Sequence, residues 1–149
     1  MSKLLIALLA IVMAGCATIE ELALNESPFA SSQNLSSFEV QALLKKGEVV
    51  IIDVRSPAER QKGLIKGPVQ VQFGPDKWGD KVLESEEQQF VQRITSIAKP
   101  GQEIVLFCQF GVRSEFARLL LQKYGINARS VQDGYLGNTK GPGIKAWDI

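Results

Sequence analysis

Two apolar runs constrain this chain more than anything else in it: VVIIDV at 49–54 and IVLFC at 104–108. Both are nearly continuous and rich in β-branched residues, the signature of strands buried on both faces. Such a strand needs neighbours on each side and cover above and below. The segments between the runs supply that cover. Ser36-Ser37-Phe38-Glu39 has the spacing of a capping box, and its helix runs to about Lys46 and stops at Gly47. Ser56-Pro57-Ala58-Glu59 repeats the box with proline at the first helical position. Ser85-Glu86-Glu87-Gln88 opens a third helix, with Phe90, Ile94 and Ile97 at helical spacing, and Pro100-Gly101 ends it. A fourth helix, 114–124, turns Phe116, Leu119 and Leu120 inward and closes at Gly125. Residues 69–73 alternate like a strand nearer an edge, and 128–131 make a last short strand. This alternation predicts an α/β domain of three layers, α/β/α, around a central, mostly parallel sheet of about five strands. The glycine-rich stretch 133–145 is expected to be loop, pinned to the core by Trp147. A chain of 149 residues is enough for one such domain and too short for two.

Composition narrows the chemistry. With 17 basic and 16 acidic residues the formal charge is +1, and no charge run is present, so no nucleic-acid surface is expected. The sequence holds no histidine, which excludes Ser-His-Asp and Cys-His nucleophile pairs and imidazole metal sites. Its two cysteines cannot build a disulfide scaffold or a four-thiolate zinc site. No metal and no cofactor is therefore expected. The chemistry falls to carboxylates, a lone thiol, arginine and backbone amides.

Residues 1–15 read as a secretory signal. Lys3 gives the positive start, and 4–13 is an apolar core too short for a transmembrane helix. Met13-Ala14-Gly15-Cys16 resembles the lipobox of bacterial lipoproteins, which implies cleavage before Cys16 and a lipid on that residue. Several acyl chains on one residue anchor a protein stably to a membrane. Residues 16–34 comprise that cysteine and a polar tether, of which 18–34 would span roughly 25 Å as a coil and about 60 Å at full stretch. The domain proper is 35–149. In the enteric sorting scheme Ala17 after the lipidated cysteine directs such a protein to the outer membrane, so the expected location is the bacterial cell envelope, facing the periplasm.

Cys108 ends the second buried run, and Gln109-Phe110-Gly111-Val112-Arg113-Ser114 leads from it into a helix. In folds of this class ligands bind beyond the carboxyl ends of the strands. A short strand-to-helix loop turns successive amides toward one point, and the helix start adds positive potential. That setting, with Arg113, favours a thiolate over an inert core cysteine. Cysteine phosphatases use a related loop with five residues between Cys and Arg. Here four separate Cys108 from Arg113, a tighter ring suited to a single sulfur atom.

The loop CQFGVRS resembles the Cys-x-x-Gly-x-Arg-Ser pattern of the rhodanese family. Asp53-Val54-Arg55-Ser56-Pro57, followed by Glu59, is similar to that family's Asp-x-Arg-Ser-x-x-Glu segment, and Gly134 and Trp147 fall where it has a glycine and a tryptophan. Gly63-Leu64-Ile65-Lys66-Gly67-Pro68 replaces the frequent Gly-His-Ile-Pro-Gly-Ala, and the stretch from Gly134 to Trp147 is longer than usual. The resemblance implies a rhodanese-like fold and a two-step sulfur transfer. Cys108 would attack the outer sulfur of a thiosulfate-like donor, become a persulfide, and pass that sulfur to cyanide or a thiol. Gln109, Phe110, Gly111, Val112, Arg113 and Ser114 would bind the anionic groups. Asp53 and Arg55 would support the loop, and Glu59 would cap its helix. The alternatives are a rhodanese-like binding or sulfur-carrier module without turnover and, fitting the spacing less well, a phosphatase or arsenate reductase. Beyond the small donor and acceptor and the membrane, the sequence indicates no protein partner.

Overall fold

The computed structural model describes residues 34–47, 49–74 and 82–147; Cys16 and the other residues read as signal and lipidation site lie outside them. Strands β1 (Asn34–Leu35), β2 (Val49–Asp53), β3 (Val69–Gln70), β4 (Glu103–Phe107) and β5 (Ala128–Val131) form one sheet in the order β1-β5-β4-β2-β3. Every neighbouring pair is parallel, so the sheet expected to be mostly parallel is wholly so. The helices are α1 (Ser37–Lys46), α2 (Pro57–Gln61), α3 (Glu84–Ile97) and α4 (Val112–Lys123), with a single 3-10 turn at Ile144–Ala146. Strand β1 has no counterpart in the sequence pattern, because two residues cannot display a period of two. Asn34, read as the last residue of the tether, pairs with Ser130 on β5.

The sheet separates two apolar layers, and the pleat of its strands decides which residue joins which. Ile52, Val54, Ile104, Leu106, Cys108 and Ala128 face one way and pack with Phe90, Val91 and Ile94 of α3 and Ala117, Leu120 and Leu121 of α4. Val49, Ile51, Val105, Phe107 and Val131 face the other way, against Val40 of α1 and the C-terminal Ile144. Central strand β4 thus contributes to both layers and is buried from Ile104 to Phe107. That accounts for an apolar run without alternation.

Helix ends follow the capping signals closely. Ser36 and Glu39 form the reciprocal box on α1, and Gly47 closes the helix at φ 72°. Ser56 and Glu59 do the same for α2, with Pro57 in the first turn. Helix α3 starts at Glu84, one residue before the expected Ser85, because the Leu83 amide donates to the Glu86 carboxylate at 2.8 Å. Helix α4 starts at Val112, two residues earlier than expected, and strand β4 ends at Phe107, so Cys108 is the first residue beyond it. The inward stripe of α4 runs through Ser114, Ala117, Leu120 and Leu121. Phe116 lies about 200° around the helix from Ser114 and is 54% exposed, which corrects its assignment to the core. Strand β3 stops at Gln70, short of the expected 73. The Val71 and Phe73 amides still donate to the Asp53 and Val54 carbonyls, and both side chains are buried.

The expected C-terminal loop is ordered by one carboxylate. Asp133 is fully buried and accepts hydrogen bonds from the Ser37 amide (2.8 Å), the Ser37 hydroxyl (2.5 Å) and the Gly143 amide (2.9 Å). It therefore joins the start of α1, the end of β5 and the C-terminal turn, and Trp147 packs on the same apolar layer. Replacing Asp133 by Ala strands two buried amide donors, and should cost about 2–4 kcal/mol. Urea unfolding of the variant measures that loss; a change below about 0.5 kcal/mol would show that the tie is dispensable.

Candidate active site

The first turn after β4 is closed from outside. The Tyr135 amide donates to the carbonyls of Cys108 (2.8 Å) and Gln109 (3.1 Å), and the Leu136 amide donates to Gln109 at 3.1 Å. With those carbonyls turned toward 135–136, the loop offers the sulfur a donor instead: the Gly111 amide lies 3.2 Å from Cys108 Sγ. The Ser114 hydroxyl lies 3.7 Å from the same atom. Cys108 is a free thiol and only 2% exposed, so a reactant must present a small terminal atom to it.

Two glycines allow this closure. Gly111 sits at φ 93°, a conformation other residues rarely adopt, and a Cβ there would lie 2.5 Å from the Gln132 carbonyl oxygen. At Gly134, with φ 57°, a Cβ would lie 2.7 Å from the Gly111 nitrogen and 2.8 Å from the Phe110 nitrogen. The second glycine therefore touches the loop itself, which gives a structural reason for the residue type that the sequence marked.

Asp53 and Arg55 are both buried and form an ion pair at 2.8 Å. The carboxylate also accepts from the Arg55 amide and Nε, and Arg55 donates further to the Gly63 carbonyl. These bonds satisfy the carboxylate and two of the three guanidinium nitrogens, and Nη1 is buried without a hydrogen-bond partner. The guanidinium lies over the Tyr135 ring at 3.9 Å and the Phe107 ring at 5.5 Å. Arg55 thus packs on the residue whose amide holds the Cys108 carbonyl, a route from ion pair to loop that runs through Tyr135. Nothing local in the sequence points to Tyr135, which is 80 residues from Arg55 and meets it only in the fold.

Arg113 and Glu59 meet across 54 residues of chain in a two-pronged ion pair, Nη1 to Oε2 and Nη2 to Oε1, both 2.8 Å. Glu59 also accepts from the Ser56 amide, so the residue read as a helix cap has a second role. Burial raises the tendency of Glu59 to hold a proton, but hydrogen bonds from Arg113 and Ser56 outweigh it and leave the carboxyl below its ordinary value. Burial likewise disfavours the Arg113 charge, and Glu59, with smaller contributions from Cys108 and Asp53, more than compensates. The arginine is thus a permanent cation, held by Glu59 and within electrostatic reach of Cys108. Of the other loop residues, Gln109 and Val112 are half-buried and Phe110 is 58% exposed at the rim.

The profile of the rhodanese-like domain matches residues 37–139. No curated protein matches the chain. Among solved structures, the human single-domain sulfurtransferase TSTD1 is 27% identical, with a TM-score of 0.52 over 70% of this chain and 93% of that one. A rhodanese-like domain protein from Staphylococcus aureus is 23% identical, with a TM-score of 0.53 over 70% of this chain and 89% of that one. Reduced Bacillus anthracis CoADR-RHD is 22% identical with a TM-score of 0.53; the match covers 69% of this chain but only 16% of that one. The last two similarities concern the fold alone.

The Glu59–Arg113 pair makes a pH prediction. Because the folded Glu59 carboxyl lies below its unfolded value, its contribution is complete above the ordinary carboxylate range and is lost as pH falls through the folded value. Arg113, shifted upward, stays charged throughout that window. Urea midpoints of wild type and Glu59→Gln should differ at neutral pH and converge in acid. A gap that persists unchanged in acid would contradict the ion pair.

Proposed function

The chain belongs to the rhodanese-like domain family, and from that premise we propose that it is an exported, lipid-anchored sulfurtransferase working through a persulfide on Cys108. The observation that carries the reading is the setting of the sulfur: an amide donates to Sγ at 3.2 Å, a hydroxyl lies 3.7 Å from it, and Arg113 interacts with it electrostatically.

In the first step the Cys108 thiolate attacks the outer sulfur of a thiosulfate-like donor. A new S–S bond forms, the donor's own S–S bond breaks, and sulfite leaves with the bonding pair. The Gly111 amide and the Ser114 hydroxyl stabilise the anionic sulfur before and after the transfer. Arg113, anchored by Glu59, orients the anionic donor and offsets the charge that accumulates on the leaving sulfite. Gln109, Phe110 and Val112 complete the ring and the rim, while Asp53 and Arg55 hold it through Tyr135. In the second step cyanide or a thiol attacks the outer sulfur of the persulfide, and the thiolate returns. Each step exchanges one nucleophile for another, so no external oxidant, reductant or proton-shuttling histidine is needed.

Purified protein given thiosulfate and cyanide should form thiocyanate, and Cys108→Ser should lower the rate on the order of a thousandfold or more. An unchanged rate in that variant would end the reading. Negligible turnover by the wild type, with a persulfide-dependent partner retained in pull-down, would favour a binding or carrier module. The anchor is tested separately. Radiolabelled palmitate should enter the wild-type protein and not Cys16→Ser, and equal labelling of both would remove the lipid anchor from the account.

A further inference from the structure

Strand β5 carries a hydroxyl on its apolar face. The pleat places Ala128 with Ile104 and Ser130 with Leu106, so Ser130 points toward the layer that contains Cys108. Ser130 is 1% exposed, and its hydroxyl lies 3.0 Å from that of Ser114, which is itself fully buried. Ser114 in turn lies 3.0 Å from the Gly111 carbonyl and 3.7 Å from Cys108 Sγ.

Hydrogen counting gives this arrangement its meaning. The Ser114 hydroxyl has one hydrogen and two lone pairs. The Gly111 carbonyl can only accept, so it competes with the sulfur for that single hydrogen. The bond to Gly111 is the ordinary back-bond of a serine in the first turn of a helix. When Cys108 is a thiolate, Ser130 is the one neighbour of the three that can donate into the Ser114 oxygen. When it does, the Ser114 hydrogen is the free member of the chain, and a negative sulfur draws it away from Gly111. A donor behind a donor also polarises it, strengthening the bond to the anion.

We propose that Ser130 is a positioning residue, acting through Ser114 to direct a hydroxyl hydrogen onto the anionic sulfur of Cys108. It touches neither sulfur nor substrate. The charged group that interacts with the sulfur is Arg113 at the start of α4, itself paired with Glu59 of α2. The proposal rests on Cys108 being the reactive thiol, yet its readout does not require sulfur transfer.

The test measures the thiolate directly, by its ultraviolet absorbance at neutral pH and by the rate of iodoacetamide alkylation. Ser130→Ala should lower both about threefold. Ser130→Thr, which keeps the hydroxyl, should restore them relative to Ser130→Val, which has nearly the same volume without it. The Thr–Val comparison also separates the hydroxyl from any general packing defect. Ser114→Ala should lower both readings, and Ser114→Ala combined with Ser130→Ala should fall no further. Unchanged readings in Ser130→Ala, equal readings for Thr and Val, or additive losses in the double variant would each overturn the proposal. A protein that shows the Ser130 effect but makes no thiocyanate would retract the sulfurtransferase reading and leave this one standing.

Discussion

Tyr135 donates one amide hydrogen to two carbonyls, those of Cys108 and Gln109, and Leu136 donates a second to Gln109. A peptide unit has two ends, so a carbonyl held outward leaves the amides that follow free to turn the other way. The Gly111 amide takes the inward direction and meets the sulfur. Much of the chain serves that orientation. Gly134 is bare so that the loop can pass within 2.8 Å of where its Cβ would be. Asp133 fixes the segment that carries Tyr135 to the start of α1 and to Gly143. Arg55 packs beneath the Tyr135 ring, and Asp53 neutralises it.

The charges are arranged in pairs with different exposure. Asp53–Arg55 is sealed, with both side chains at 3% exposure or less, and works as a structural block. Glu59–Arg113 is partly open, at 24% and 16%. A buried pair is expensive to separate, whereas a half-exposed one can exchange partners at modest cost. That difference suits the inner pair to holding the loop and, under the proposed sulfur transfer, the outer pair to meeting a donor. Phe110 and Phe116, both more than half exposed, present apolar surface from the loop and from α4.

Parts of this design are local, and those parts are legible in the sequence. The capping boxes at Ser36–Glu39 and Ser56–Glu59, the stop at Gly47 and, within a residue at each end, the strands read at 49–54 and 104–108 all follow from spacings within a single segment. The position of Cys108 at the end of a central strand follows from the same spacings. Contacts between distant segments leave no such trace. Glu59 and Arg113 are 54 residues apart, and a capping role already explained the glutamate. Tyr135 falls in a glycine-rich stretch without periodicity, and Ser130 in a strand of four residues. Phe116 is not on the inward face of α4 because that face is lined partly by buried polar residues, Ser114, Glu115 and Arg118, which a search for apolar spacing passes over.

A chain without histidine has few means of activating sulfur, and under the proposed function that task falls to an amide, a hydroxyl and an arginine around Cys108. In that proposal the sulfur being moved rests covalently on Cys108 between the two steps. Intact-mass spectrometry after incubation with thiosulfate and removal of the excess tests this directly. The protein should gain the mass of one sulfur atom, mapped to the peptide holding Cys108 and discharged by cyanide. A protein that gains no sulfur while Cys108 remains a free thiol, or that carries the sulfur elsewhere, would contradict the account.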